Sequence, residues 1–184
     1  MARIKPFHGL RPLPILASQV VAPPYDVLNS EEARLEAKDN TISFLHITKA
    51  EIDLDPSVDV HSQVVYDQAK ENLERMITDY VFFQDQRPCY YIYMLVMNGR
   101  TQTGLVCVSS VADYQENKIK KHEYTRPEKE KDRIDHMETL RVQTGNVFLA
   151  YRDTPSVNKL IDTWKKNYAP AYDLVTNLVL ILKI

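Results

Sequence analysis

Glycine is scarce in this chain, with four in 184 residues, and none is spaced as a phosphate-cradling or nucleophile-bearing loop requires. The patterns G-x-x-x-x-G-K-S/T, G-x-G-x-x-G and G-x-S-x-G do not occur, which excludes the standard nucleotide-binding and serine-hydrolase loops. Cysteine is scarcer still. Cys89 and Cys107 lie in apolar, strand-like runs without metal-ligand spacing, so they read as small hydrophobes rather than a zinc site or a disulfide framework. An excess of charge of one sign is also missing: 23 Lys and Arg face 25 Asp and Glu, for a formal net charge of −2. That balance argues against a nucleic-acid partner, which calls for a basic face. No apolar run approaches the length of a membrane span. The opening MARIKPFHGLRP carries charges and prolines where a signal peptide needs an apolar core. The expected setting is the reducing cytoplasm, with no membrane partner.

What is present is a globular composition, 44% hydrophobic and 26% charged, which is enough to bury a core. The proline-rich stretch to about Asn29 predicts extended surface chain, with Val20 to Val27 as a short strand that turns sharply. Asn29-Ser-Glu-Glu predicts a capping box opening a helix to about Lys38. Phe44, Leu45 and Ile47 predict a short strand, with His46 as a satisfied core or edge histidine, and Asp53 to Asp59 an acidic loop. From Gln63 to Asp79 the residues Val65, Ala69, Leu73, Met76 and Tyr80 recur at helical spacing, with Lys70, Glu71, Glu74 and Arg75 on the wet face. Tyr90 to Met97, Asn98-Gly99 and Arg100 to Val108 predict a hairpin with the preferred two-residue turn. Asp113 to Lys118 predicts a helical turn or loop. Thr125-Arg-Pro-Glu128 predicts a capping box for a helix to about Arg141. Val147 to Tyr151 predicts a strand, and Thr154-Pro155 a last helix with Leu160, Ile161 and Trp164 on its apolar side. The sum is an α+β fold: a mixed sheet including one Asn-Gly hairpin, flanked by three or four helices. After Asp173 the chain is almost wholly apolar, so residues 1–173 read as one α/β domain. Residues 174–184 read as an atypical tail, either a buried strand or a chain cut or altered before its natural end.

The densest set of ionisable groups is KKHEYTRPEKEKDRIDHMETLR, from Lys120 to Arg141. A charge-rich helix is commonly a solvated face laced with i,i+4 pairs, and Glu128–Asp132 and Lys131–Asp135 fit that description. On a wheel at about 100° per residue, Ile134, Met137 and Leu140 define an apolar arc. Arg133 projects inside it, Glu130 falls between Ile134 and Met137, Arg126 points the same way, and His136 sits at the edge. Charges on a buried side need partners. A structural Glu130–Arg133 pair would satisfy them, and so would a bound anion, since the planar guanidinium suits phosphate or carboxylate. His122 and Glu123 stand just before this helix, near a terminus that favours anions, where His can shuttle a proton and Glu can accept one. His122 and His136 are fourteen residues apart, which is no metal spacing. Pro23-Pro24-Tyr25-Asp26 is a rigid turn, able to deliver an acceptor to a site or simply to be capped by its own Asp.

FHGLRP, VVAPPYDV, SFLHI, GRTQTGLV, KKHEYTRPEKEKDR and GNVFLAYR together resemble successive blocks of the bacterial and archaeal family of domain of unknown function 1015. The resemblance runs from Arg3 to about Asp173, and its most specific block is His122 to Arg133. It implies a small-molecule phosphotransferase of the free L-serine kinase type, akin to the ParB/sulfiredoxin-like group. The implied donor is ATP or pyrophosphate, with magnesium as its companion. On that reading His122 and Glu123 orient the hydroxyl, while Arg126, Arg133, Glu130, Lys121, Tyr25 and Asp26 bind substrate, with Lys120 assisting. It further implies a longer protein, with a downstream Gly-His-His-Arg box that this sequence lacks, and hence a truncated member. The alternative is a non-catalytic module that binds an anion or a partner.

Overall fold

The computed structural model describes residues 2–122, 124–175 and 181–183. In chain order the elements are β1 (Ile4–Lys5), β2 (Leu10–Pro12), α1 (Ala17–Val20), α2 (Ser30–Ala37), α3 (Leu45–Thr48), a 3-10 turn (Ala50–Asp53), α4 (Gln63–Thr78) and β3 (Phe82–Gln84). They continue with β4 (Tyr91–Met97), β5 (Arg100–Val106), β6 (Val108–Ser109), α5 (Val111–Gln115), α6 (Pro127–Leu140), α7 (Pro155–Asn167), β7 (Asp173–Val175) and β8 (Ile181–Lys183). The fold class is α+β. Residues divide into two compact units: Met1–Gly9, Gln84–Lys120 and Val147–Ile184 form the first, and Leu10–Phe83 with Lys121–Asn146 the second. No helix among the described residues is long and apolar enough to cross a membrane.

The first unit is built on antiparallel pairing. β4 and β5 pair from Tyr91 opposite Val106 to Met97 opposite Arg100. Asn98 and Gly99 close this hairpin with φ of 51° and 76°, the left-handed pair that matches the strand twist. β8 joins the other edge of β4 and pairs with β7, so parts of the apolar tail are strand. Its residues 176–180 and Ile184 lie outside the described residues. β1 pairs with β6, and α5 follows with its buried Asp113. That carboxylate takes the Arg3 backbone N–H at 2.6 Å, the Arg3 guanidinium at 3.1 Å and the Lys118 ammonium at 3.2 Å. These bonds from Arg3, then from Lys118, outweigh burial and hold its carboxyl well below the usual range. Gly9 donates its N–H to the Tyr91 hydroxyl at 2.9 Å, and that hydroxyl donates to Asp85 at 2.6 Å. Burial, then Asp85, pushes the Tyr91 phenol up to about 12.

The second unit packs helices around α4, whose Val65, Ala69, Leu73 and Met76 meet Val20, Ile47, Ala50, Val81, Phe82 and Leu140 in one core. A smaller cluster of Ala33, Ala37, Leu45 and Ile52 lies under α2. The Asn29 capping box with Glu32 is present, each side chain bonding the other residue's N–H at 2.9 Å.

Several expectations are corrected. Leu45 and Ile47 belong to a helical turn, not a strand. Both are buried there, Ser43 Oγ accepts the Leu45 N–H, and short apolar runs do not distinguish the two periods. Val20 closes the short helix α1 instead of opening a strand, and Ala17 and Val20 are buried, so the proline-rich stretch is not all surface chain. Tyr80 is 77% exposed, because α4 has ended and the residue is left-handed at φ 57°. Thr125 does not cap α6. Pro127 holds the first helical position, which forces Arg126 into extended backbone as the N-cap, with no side-chain cap bond. Val147 to Tyr151 pairs with no strand among the described residues, and Val147 and Phe148 are exposed.

A Cβ on Gly9 would stand 2.5 Å from the Tyr91 hydroxyl oxygen and 2.8 Å from its ring. Gly9→Ala is therefore expected to displace Tyr91 and cost roughly 1–3 kcal/mol, read from the shift of the urea midpoint at unchanged slope.

Candidate functional site

The wheel reading of α6 is off by one register of partners. Its buried residues are His136 and Leu140, whereas Ile134 and Met137 stay exposed. The side that meets α4 runs through Asp132, His136 and Leu140, each four residues from the next and hence on one face. α4 supplies an already complete apolar stripe, so this face of α6 can bring polar groups against it, provided each finds a partner.

Asp132 is the centre. Its side chain is 12% exposed, and one carboxylate oxygen accepts both the Tyr66 hydroxyl at 2.8 Å and His61 Nδ1 at 2.9 Å. The other oxygen accepts Nε and an Nη of Arg133 at 2.9 and 2.5 Å. Burial alone would push Asp132 up. The bonds from His61, Tyr66 and Arg133 win and hold its carboxyl below the usual range, so it is ionised. Tyr66 moves the other way: burial, then the bond to Asp132, raises its phenol far above the ordinary value. Arg133 is 30% exposed, and its guanidinium lies 4.4 Å from the centre of the Tyr25 ring, a cation–π contact. The guanidinium is thus held by a carboxylate and an aromatic face, at the end of a partly exposed side chain.

His136, 3% exposed, presents Nε2 to the Ile47 carbonyl at 3.0 Å, so Nε2 carries the proton. Nδ1 has no partner. Burial lowers the imidazole's pKa, more than the Ile47 bond raises it, and the ring is neutral. It lies edge-on to Tyr66, centroids 6.2 Å apart.

Two residues singled out in the sequence, Tyr25 and Arg133, are brought together. The expected Glu130–Arg133 pair is not formed: Glu130 is exposed, and Arg133 turns to its neighbour Asp132 because that carboxylate is the one α6 buries. Asp132, assigned in the sequence to a solvated face, is therefore the least solvated carboxylate of α6, whereas Lys131 and Asp135 do pair at 2.7 Å. Asp26, Lys121, His122 and Arg126 are exposed. Glu123 lies outside the described residues. His61 and Tyr66 escaped the sequence reading, since His61 sits in a polar loop and Tyr66 one position off the apolar stripe of α4. The one available signal was a tyrosine next to Val65 on the edge of that stripe.

A second histidine–carboxylate pair is structural. His46 Nδ1 meets Asp53 at 2.8 Å and Nε2 meets the Asn40 carbonyl at 3.0 Å, so both nitrogens donate and the ring is an imidazolium. Asn72 Nδ2 donates to the His46 carbonyl and to Asp53, both at 2.8 Å. The Asp53 bond raises the His46 pKa against the pull of burial. Among the described residues no group of three or more His, Cys, Asp or Glu side chains can hold a metal ion.

A family model described as Protein of unknown function (DUF1015) matches residues 4–179. No curated protein and no solved structure matches the chain.

Because the His46 pKa is raised in the fold, the pair's stabilisation is complete below the ordinary imidazole value of about 6.5 and is lost as pH rises through the raised one. Unfolding free energy is expected to decline over that alkaline window, and His46→Gln to flatten the decline, as followed by urea midpoints against pH.

Proposed function

The chain belongs to the DUF1015 family of proteins of unknown function, and from that premise we propose that it forms part of a small-molecule phosphotransferase of the free L-serine kinase type. ATP or pyrophosphate is the phosphoryl donor in this reading. The observation that carries it is the Arg133 guanidinium, fixed by Asp132 on one side and the Tyr25 ring on the other. Phosphoryl transfer asks a protein mainly for positioning and for fixed charge where charge develops. A guanidinium already immobilised by two neighbours offers that charge without having to be ordered when the substrate arrives. Arg133 would take the transferred phosphoryl group or the substrate carboxylate. Lys121 and Arg126, both exposed, would draw anions toward the start of α6, and His122 and Glu123 would meet the hydroxyl. Tyr25 carries the aromatic wall, and Asp26 follows it in the same turn.

A second reading, a non-catalytic anion- or partner-binding module, is favoured by one observation. Asp132 is saturated by its own donors, so the carboxylate next to the cation is not itself available as a base.

Phosphorus NMR on the chain with L-serine, magnesium and either ATP or pyrophosphate separates the two. Phosphoserine is the expected product. Arg133→Met is expected to reduce its formation about 10²–10³-fold and to lower the melting temperature, because Asp132 loses the donors to one of its oxygens. Retained phosphate binding without turnover, lost in Arg133→Met, would identify the binding module instead.

A further inference from the structure

We propose that His61 is the general base of this site, an imidazole oriented by Asp132 and open to solvent at Nε2, where it accepts the proton of the substrate hydroxyl. The inference rests on the phosphotransfer reading and gives His61 the role of base, with His122 and Glu123 left to orient the hydroxyl.

Two histidines meet the Asp132 cluster, and they are opposite in character. His136 is buried and uses Nε2 on a backbone carbonyl, so it has no route to a substrate. The His61 side chain is 67% exposed, and Nδ1 is the ring atom that meets the carboxylate, at 2.9 Å. An ionised carboxylate only accepts, so Nδ1 is the protonated nitrogen. In the neutral ring Nε2 then carries the lone pair. The orienting group is itself immobilised: Tyr66 donates to the same oxygen of Asp132, and Arg133 holds the other. The backbone of His61 is pinned as well, its N–H donating to Asp59 at 3.0 Å. Base, orienting carboxylate and a neighbouring cation for the anionic group are the parts that general-base chemistry needs within reach of one another. A histidine serving only to tie the loop before α4 to α6 would make the same bond. What sets the catalytic role apart is the second nitrogen, on an exposed ring oriented by the carboxylate that also holds Arg133.

In the forward step Nε2 takes the hydroxyl proton as that oxygen bonds to the donor's terminal phosphorus. The bond from phosphorus to the ADP or phosphate oxygen breaks, and its electron pair leaves with that group. Asp132 stabilises the imidazolium that results. Asp132 from α6 meets the ring, Tyr66 from α4 and Arg133 from α6 bond that same carboxylate, and Asp59 in the ring's own loop accepts the His61 N–H.

His61→Asn tests the assignment, because the asparagine N–H can replace Nδ1 while Nε2 is deleted. With L-serine, magnesium and the active donor, phosphoserine formation is expected to fall on the order of 100-fold or more. Melting temperature should be unchanged, and the acidic limb of the kcat/KM profile lost. An Asn variant with the wild-type rate and pH profile makes His61 a strut and leaves the phosphotransfer reading intact. Wild-type chain that forms no phosphoserine with either donor overturns that reading, and the base with it. Should the variant melt early, nitrogen-15 NMR of the wild-type imidazole decides. The Nδ1–H tautomer is expected, and a neutral ring carrying its proton on Nε2 refutes the role.

Discussion

A single desolvated carboxylate, that of Asp132, determines how the helical unit is put together. Burying a carboxylate without partners costs several kcal/mol, so the packing of α6 on α4 is tolerable only where donors converge on it. They come from three places in the chain: His61 from the loop before α4, Tyr66 from the first turns of α4, and Arg133 from α6 itself. Apolar contact of Leu140 with the α4 stripe drives the two helices together, but contact of that kind is indifferent to rotation. The carboxylate and its donors specify which face of α6 turns inward, and they leave Arg133 beside Tyr25.

The same device recurs. Asp53 gathers His46 and Asn72, and Glu51 gathers Ser30 and Lys49. In the first unit Asp113 gathers Arg3 and Lys118, and Asp85 receives the Tyr91 hydroxyl that also holds Gly9. Arg34 reaches the carbonyls of Glu51, Ile52 and Leu54. Small buried residues such as Ala33, Ala37 and Ala50 leave little apolar area at these points. Directional bonds therefore set the geometry of the short helices where area burial alone would leave them free to slide.

For chemistry, the consequence is a division of labour within one cluster. Groups that are buried, Tyr66 and His136, have their protonation set by burial and neighbours and serve as framework. Groups that reach solvent, Arg133 and His61, are held by the framework yet remain able to meet a ligand. Preorganisation of that kind lowers the entropy and reorganisation needed at the moment of reaction.

Much of the local structure was legible in the amino-acid order. The Asn29 box, the Val65 to Met76 stripe and the Asn98-Gly99 turn each depend on bonds or sterics within a few residues, so pattern alone determines them. That Arg133 and Tyr25 stand out was legible too, through a charge inside an expected apolar arc and a rigid turn. Their partners were not. Glu130 is the neighbour that helical spacing suggests, but Asp132 is the one the packing buries. His61 and Tyr66 reach Asp132 across separations of 71 and 66 residues, which no local period encodes. The sequence by itself determined the α+β class, the Asn29 cap, the Asn98-Gly99 turn and the family. Only the tertiary structure decided which carboxylate of α6 is desolvated, because that depends on the face presented to α4, and with it which histidine is left with a nitrogen open to solvent.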